Sequence, residues 1–429
     1  MVNAQPLQAA RARAVARGAA GLLLCILAPA VPAVEPGAQE TERVSPLTEA
    51  VAIELALTRE AYQHRLDAAA EEAKSNLMQA RLHANPNLEF VQETNRSPAG
   101  ETTERTVRVT QALDISGRRK LRTDAARLLV ESADLDSASV REQTVSEVRR
   151  HFFTVLQLVE KSSAHERWLT RLGELQKIAE ILKSGGEASV YDVRRVQREY
   201  LSAQASAAEA GAELEASRER LYAVIGPQGR RYAEISGSLV PPPAPPLERL
   251  QESLTSRPDL LSLRNKASAY RLEQRAARRL VLPDVTLGVG VKHLNDPAYS
   301  DTGLVFSLSL PLPLADRGQA AHASLGAKVL ATDADYRLAI ESMLGELRAA
   351  RIRTESARIA AARLREGALP VSRDLVRIAE LAYRAGEMTM LEVLDAHRAL
   401  LIAEIEVLDL ELRAALSRVE LERLSGGGN

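Results

Sequence analysis

A short glycine-containing stretch occurs twice in this chain: YRAGEMTMLEVLDAHRALLIAE at residues 383–404 resembles SGGEASVYDVRRVQREYLSAQ at residues 184–204. Gly186 and Gly386 stay in register at an offset of 200 residues. In each copy the glycine interrupts a long helical pattern, because glycine readily adopts the left-handed conformation that a tight reversal requires. The sequence therefore predicts two helical hairpins of the same design.

The composition is typical of a protein built from long helices. Aromatic residues make up 3% of the 429 residues and charged residues 26%, and the formal net charge is -1. This balance leaves no basic field for nucleic acid, so we expect no nucleic-acid partner. From about Lys120 to Lys183 the chain has no proline and carries apolar side chains at helical steps, which predicts a helix of roughly 96 Å.

The N-terminus has the order of a secretory signal peptide. Three arginines precede the apolar run GAAGLLLCILAPA, and the small-residue pattern ending at Ala33 follows it. We expect residues 1–33 to be cleaved after export, because about a dozen apolar residues are too few to span a bilayer. Leu24 argues against lipidation at Cys25, the single cysteine, which leaves with the signal. The mature chain then has neither disulfide nor thiol ligand.

The remaining chain shows two repeats of one element order, residues 34–230 and 247–429, joined by a Pro-rich linker at 231–246. Each repeat is predicted to contain a helix, two strands, a very long helix, a glycine turn and a further helix. The predicted bounds in the first repeat are 46–84 with Ser45 as N-cap, 88–113 for the strand pair, 120–183 and 188–225. Those in the second are 258–280, 284–311 for the strand pair, 319–384, and a last helix ending near 424.

The strands alternate between apolar and polar residues. In VTLGVGVK, residues 285–292, the apolar side chains occupy every second position, and Gly288 and Gly290 fall on the opposite face. Glycines inside an alternating strand predict close packing or lumen width and not a dinucleotide loop. Each hairpin alone fits a half-buried soluble sheet, but two hairpins of membrane-spanning length in an exported chain favour a lipid-facing barrel.

Four strands cannot close a barrel. An open edge is not tolerated in lipid, because unpaired amides and carbonyls find no water there. Other copies of the chain must therefore complete the sheet, and a cyclic trimer would provide twelve strands.

With its duplicated halves and Pro-flanked hairpins, the chain resembles the outer membrane efflux protein family, whose best-known member is TolC. The motif Tyr383-x-x-Gly386 followed by LEVLDA at 391–396 carries the resemblance, and Gly426 matches the glycine that closes the family's repeat. The segments NPNLEF and LDISGRR are most similar to the heavy-metal efflux members of the CzcC type.

The resemblance implies a mainly α protein with a small transmembrane β part. The expected architecture is a TolC-like α-helical barrel across the periplasm and a trimeric 12-stranded β-barrel, four strands per chain, in the outer membrane of a Gram-negative bacterium. The implied partners are a periplasmic adaptor (membrane fusion) protein, an inner-membrane pump of the RND type and outer-membrane lipid. The implied cargo is divalent heavy-metal cations.

The two turns would be the periplasmic tips that contact the adaptor. The tip residues are Ser184, Gly185, Gly186 and Glu187 in the first hairpin and Arg384, Ala385, Gly386 and Glu387 in the second. Three chains would arrange six tips in a pseudo-sixfold ring.

A gate is expected just past the second turn, where family members carry acidic rings. The matching positions are Glu392 and Asp395, which lie three residues apart and so share one helix face. Six carboxylates around a threefold axis would attract cations and resist anions. A solvated helix surface is the alternative interpretation of these acids.

Asp192 in the first copy matches the aspartate that latches the closed tunnel in TolC-like members. The basic residue that pairs with it in some members is Met388 here. Tyr383 and Arg384 are the alternative latch partners that the sequence offers.

Nothing in the sequence indicates catalysis or a bound cofactor. The seven histidines are scattered, without partners at metal-ligand spacing, so we expect no stable metal site. No catalytic triad motif, P-loop or zinc-hydrolase helix is present. Two alternatives remain: the same channel architecture exporting drugs or proteins, and a periplasmic coiled-coil scaffold with a soluble sheet.

Overall fold

The computed structural model describes residues 46–98 and 100–426. The predicted signal peptide, with Cys25, lies outside the described residues. The predicted fold class is confirmed: the described part of the chain is mainly helical with one four-stranded antiparallel sheet.

The described chain alternates helices and strand pairs in the predicted order. The elements up to the linker are α1 (Glu49–Leu57), α2 (Glu60–Arg81), β1 (Asn87–Ser97), β2 (Gly100–Leu113), α3 (Arg118–Ser184) and α4 (Val190–Ile225). Those after it are α5 (Leu247–Leu254), α6 (Pro258–Arg278), β3 (Val285–Asn295), β4 (Ser300–Ser309), α7 (Gln319–Arg363), α8 (Leu369–Arg384) and α9 (Met390–Ser425). A π-helical turn, Leu364–Ala368, joins α7 to α8, so the predicted helix 319–384 is continuous but irregular.

The single helix predicted over 46–84 is wrong, because the chain forms two helices there. The predicted N-cap Ser45 lies outside the described residues. Thr48 is the N-cap of α1, and its hydroxyl accepts a 3.4 Å hydrogen bond from the amide of Val51. The chain becomes extended at Arg59. The guanidinium of Arg59 donates 2.8 and 2.7 Å hydrogen bonds to the carbonyls of Ala223 and Val224, at the end of α4. This contact satisfies helix-end carbonyls and overrides the local helical pattern.

The second repeat uses the same device. Arg257, just before α6, is buried and donates a 2.7 Å hydrogen bond to the carbonyl of Leu424 at the end of α9. Its guanidinium also pairs with Asp259 at 2.6 Å. In both repeats an arginine therefore ties the start of one helix to the end of the last helix of that repeat.

The sheet has two chemically different faces. Its strand order is β1-β2-β3-β4, and Val107 lies opposite both Phe90 and Val291 in the register. The exposed apolar face of the sheet includes Leu88, Phe90, Val107, Val109, Leu287, Val289, Val291, Leu304, Phe306 and Leu308. This set alternates with the polar residues as predicted.

Ion pairs occupy the opposite, polar face. Arg108 pairs with Glu89 and Lys292 with Glu104, both at 2.5 Å. A Cβ on Gly290 would lie 2.3 Å from the carbonyl oxygen of Val107, so close strand approach requires a glycine there. The close-packing explanation predicted for this glycine therefore applies.

The long helices form rows. Towards the glycine turns, α4, α3, α9 and α8 lie side by side in that order. Near the sheet the row is α2, α3, α6 and α7. One buried cluster around Phe152, Leu221 and Val419 holds the middle of the molecule. Another, around Leu172 and Val393, holds the hairpin ends. No helix in the described part of the chain is both long and apolar enough to cross a membrane.

Candidate functional site at the hairpin tips

The two turns are copies of one hydrogen-bonded structure. Gly186 has φ 83° and Gly386 φ 75°, in the left-handed region that favours glycine. The amide of Glu187 donates a 2.9 Å hydrogen bond to the carbonyl of Leu182, and that of Glu387 donates one of the same length to Ala382. These bonds satisfy carbonyls that the ends of α3 and α8 leave free.

All eight predicted tip residues are exposed. The first tip presents Ser184, Gly185, Gly186 and Glu187, and the second presents Arg384, Ala385, Gly386 and Glu387. The two tips thus offer turn backbone to solvent, with one glutamate at the same place in each and an arginine, Arg384, in the second.

The helices that follow the turns begin with matching capping boxes. The Asp192 carboxylate accepts hydrogen bonds from the Ser189 amide at 3.2 Å and its hydroxyl at 2.6 Å. The Glu392 carboxylate accepts the corresponding bonds from Thr389 at 2.7 and 2.8 Å. The patterns S-x-x-D and T-x-x-E signal such caps. Sequence analysis named both acids but missed this role.

Capping also determines the charge of Glu392. Hydrogen bonds from the amide and hydroxyl of Thr389 hold its pKa below the usual range, against a small opposing effect of burial. Its side chain is exposed beside the positive end of the α9 dipole. Glu392 therefore carries a fixed negative charge at the start of the helix.

Asp395 lies one helical turn further along the same exposed side of α9. Within residues 46–98 and 100–426, it forms no ion pair or hydrogen bond through its side chain. The chain thus brings Glu392 and Asp395 together on one surface, as their spacing predicts.

A cleft of about 630 Å³ separates the two hairpin ends and holds the remaining predicted residues. Asp192 lines it on the side of the first hairpin, and Tyr383, Arg384 and Met388 line it on the side of the second. Burial raises the pKa of the Tyr383 hydroxyl, and the negative charges of Asp192 and Glu187 raise it further. Tyr383 and Asp192 therefore face one another across the cleft, but no hydrogen bond joins them in the described chain.

A polar network beside this cleft was not predicted. Arg171 of α3 forms ion pairs with Glu174 and with Glu380 of α8. His397 of α9 lies 2.9 Å from Glu380, and its ring stacks on Trp168 with centroids 5.8 Å apart. The network joins the first hairpin to the second. No sequence signal reveals it, because Arg171 and Glu380 are 209 residues apart.

Burial dominates the titration of His397. It lowers the pKa of the imidazole below its usual value, with a smaller effect from Arg171, while the hydrogen bond and charge of Glu380 oppose the shift. The neutral ring is therefore the favoured form in this packed position.

The described residues contain no group of three or more His, Cys, Asp or Glu side chains placed to hold a metal ion. The chemistry that the tips offer is fixed charge and hydrogen bonding around a cleft.

The family described as Outer membrane efflux protein matches this chain over residues 53–227 and 249–427. The cobalt-zinc-cadmium resistance protein CzcC of Cupriavidus metallidurans is 27% identical over 390 residues, which cover 90% of this chain and 91% of that protein.

Solved structures share the fold at lower identity. CusC superposes with a TM-score of 0.73 at 18% identity, covering 89% of this chain and 92% of its own. VceC from Vibrio cholerae superposes with a TM-score of 0.73 at 19% identity, covering 89% of this chain and 96% of its own.

Proposed function

The chain belongs to the outer membrane efflux protein family, and on that premise we propose that it is the outer-membrane channel of a tripartite efflux system for divalent heavy-metal cations. The observation that carries the proposal is the sheet: its apolar face is exposed, and in the described chain β1 and β4 each pair on one side only. Such a sheet needs lipid on its apolar face and further strands at its edges.

Three copies of the chain satisfy both requirements. Each unpaired backbone group in a lipid-exposed edge costs several kcal/mol. Joining β1 of one copy to β4 of the next leaves no edge, and three copies give twelve strands, enough to enclose a lumen. The polar face, with the Arg108–Glu89 pair, then lines the lumen. The protein is a homotrimer in this proposal.

The helices support the same assembly. α4 and α8 lie at the two ends of the helix row near the glycine turns. On α8 an apolar stripe is left exposed, formed by Val371, Leu375, Ile378 and Leu381, and on the α4 side Tyr191 and Leu201 are exposed. A neighbouring copy that covers these residues would close the helices into a twelve-helix tunnel, the α-helical barrel expected from the family.

The domain organisation follows the repeats. A cleaved signal at 1–33, repeats at 34–230 and 247–429 and a linker at 231–246 make up the proposed chain. The family match over 53–227 and 249–427 supports this division, as does the absence of helix from the PPPAPP segment at 241–246. The exported, unlipidated chain would reach the outer membrane of a Gram-negative bacterium.

The tips are the proposed contacts for the periplasmic adaptor, which connects the tunnel to an inner-membrane pump of the RND type. Their duplicated turns would present six similar surfaces in a trimer. The eight exposed tip residues are the ones that we assign to the adaptor contact.

The gate is assigned to Glu392 and Asp395, with Asp192 and Tyr383 as its latch. Both acids of α9 are exposed near the tip, and Glu392 is held ionised by its cap. Threefold repetition would bring six carboxylates around the axis and favour cations. The cleft between Asp192 and Tyr383 is the gap that opening would widen.

The cargo is assigned from the named relative. A cobalt-zinc-cadmium resistance protein aligns with 90% of this chain, and the acidic gate suits divalent cations. Export of drugs or proteins through the same architecture is the alternative. A soluble coiled-coil scaffold is disfavoured, because water would meet large apolar side chains such as Phe306, which is 77% exposed.

Two measurements test the proposal. The mature protein, extracted from membranes with detergent, should have the native mass of a trimer, whereas a soluble monomer or dimer obtained without detergent would contradict the channel. Restoring the gene to a deletion strain should raise tolerance to cobalt, zinc and cadmium. Restored drug tolerance without metal tolerance would contradict the cargo assignment alone.

A further inference from the structure

Basic side chains without acidic partners lie at the ends of the helices that adjoin the sheet. Arg81 ends α2, Lys120 is in the first turn of α3, and Arg278 ends α6. All three are exposed, and within the described residues none of their side chains forms an ion pair or a hydrogen bond. Each is therefore free to bind an anion from outside the chain.

A cleft on the other side of the helices determines where these side chains point. α2, α3, α6 and α7 lie in one row, and a cleft of about 570 Å³ has lining residues on all four of them. A cleft shared by four helices of one row lies on its concave side. Its lining includes Gln79, Ala80, Arg118, Arg122, Ala276 and Ala277.

Helix geometry places the three basic residues on the opposite, convex side. At 3.6 residues per turn, Arg81, Lys120 and Arg278 are rotated by about 145 to 165° from the mean direction of the cleft-lining residues on their own helices. These angles are close to half a turn, so on each helix the charge faces away from the cleft.

The convex side continues into the apolar face of the sheet. Ala112, on the polar face of β2, lines a further cleft together with Arg118 and Arg122 of the concave side. The polar face of the sheet thus joins the concave side of the helices. The apolar face therefore lies on the same side as Arg81, Lys120 and Arg278.

Exposed apolar residues fill the connections between the strands and the helices. Ile115 is 63% exposed, Leu282 52%, Leu312 70% and Leu314 76%. Along the chain they lie between the apolar face of the sheet and the helices below it. Apolar side chains followed by unpaired basic ones match the change from acyl chains to phosphates at a membrane surface.

We propose that Arg81, Lys120 and Arg278 form a collar that binds the phosphate groups of anionic phospholipids in the periplasmic leaflet of the outer membrane. The proposal rests on the outer-membrane placement proposed above. The positive charges of the collar favour an anionic headgroup over a zwitterionic one. The aliphatic stems of the arginine and lysine side chains reach across the apolar connections to the phosphate level.

The test compares lipid retention by the mature trimer in native mass spectrometry after addition of equal amounts of phosphatidylglycerol and phosphatidylcholine. The collar variant is Arg81→Gln/Lys120→Gln/Arg278→Gln. The matched control is Arg65→Gln/Lys177→Gln/Arg264→Gln, which removes exposed charges from the same three helices at least about 20 Å further from the sheet.

The wild type should retain phosphatidylglycerol preferentially, and the collar variant should lose that preference by about fivefold or more, as expected when a basic residue is removed from an anionic lipid surface. The control should keep it. Equal retention of both lipids by the wild type, an unchanged preference in the collar variant, or an equal loss in the control would overturn the collar. Displacement of the lipid by millimolar inorganic phosphate would also overturn it, in favour of a free-phosphate site.

Single-channel conductance of the same preparations separates the two proposals. A wild type that conducts but shows no lipid preference contradicts only the collar. A wild type that neither inserts nor conducts contradicts the channel itself.

Discussion

Asp192 and Glu392 hold the same position in two hairpins 200 residues apart, and each carboxylate caps the helix that it begins. Both carboxylates therefore cap a helix as well as carrying charge. Asp395, in contrast, forms no side-chain hydrogen bond in the described chain and caps no helix. This difference separates the contribution of charge from that of capping in any gate experiment.

Neutralising the proposed gate should reduce cation selectivity without melting the tip. In Glu392→Gln/Asp395→Asn the carboxylate ring disappears, but glutamine still caps the helix, because a capping box accepts Glu or Gln. We expect the reversal potential in a bilayer under a salt gradient to move toward the non-selective value. Glu366→Gln, which removes an exposed charge from the π-helical turn, is the control, and unchanged selectivity in the double variant would contradict the gate.

Removing the cap hydroxyls should loosen the tips locally. Ser189→Ala and Thr389→Ala each remove a hydroxyl that accepts from a helix amide and donates to the capping carboxylate. The expected local cost is about 1 kcal/mol. Hydrogen exchange of tip peptides should accelerate about fivefold, whereas Ser202→Ala, an exposed site within α4, should leave it unchanged. Equal protection in the cap variants and the wild type would contradict the capping role.

Replacing Arg257 should lower the free energy of unfolding more than replacing an exposed arginine. Its guanidinium is 4% exposed and satisfies the Leu424 carbonyl as well as Asp259. Arg257→Met removes the donor to the Leu424 carbonyl and the cation beside Asp259, whose carboxylate keeps its hydrogen bond from the Leu260 amide. The expected cost is about 3 kcal/mol in the free energy of unfolding. Urea unfolding followed by circular dichroism measures this loss, and Arg264→Met at an exposed site should be nearly neutral. A similar loss in both variants would rule out a specific role for Arg257.

His397 should make the hairpin contact weaken in acid. Because burial lowers its folded pKa, the unfolded state binds the proton more readily, so this residue contributes its full stability above the unfolded pKa of about 6.5. The contribution is lost as the pH falls through the lower folded pKa. In His397→Gln, tip protection measured by hydrogen exchange at pH 5 and pH 7.5 should differ less than in the wild type.

A second histidine also contributes to the pH dependence of stability. Burial also lowers the pKa of His165 on α3, so part of the pH dependence should remain in the variant. His64→Gln, at an exposed site on α2, serves as the control. A pH dependence identical in wild type and His397→Gln would show that His397 does not couple to tip stability.

Much of the architecture could be predicted from local patterns. The alternation in residues 285–292 predicts β3, the missing prolines between Lys120 and Lys183 predict α3, and the family predicted from the motif at Tyr383 is confirmed by the match over both halves. The spacing of Glu392 and Asp395 predicts a shared surface, which the chain shows. The helix break at Arg59 and the network around His397 have no such local signal.

The sequence by itself determined the order of helices, strands and turns, because periodicity, glycine turns and proline breaks act through the backbone within a few residues. Tertiary structure alone decided that Arg59 would interrupt a helix to reach a carbonyl 165 residues away, and that Arg171 would meet Glu380 across 209 residues. Such contacts form only when packing brings distant polar groups together in a site where each must find a partner.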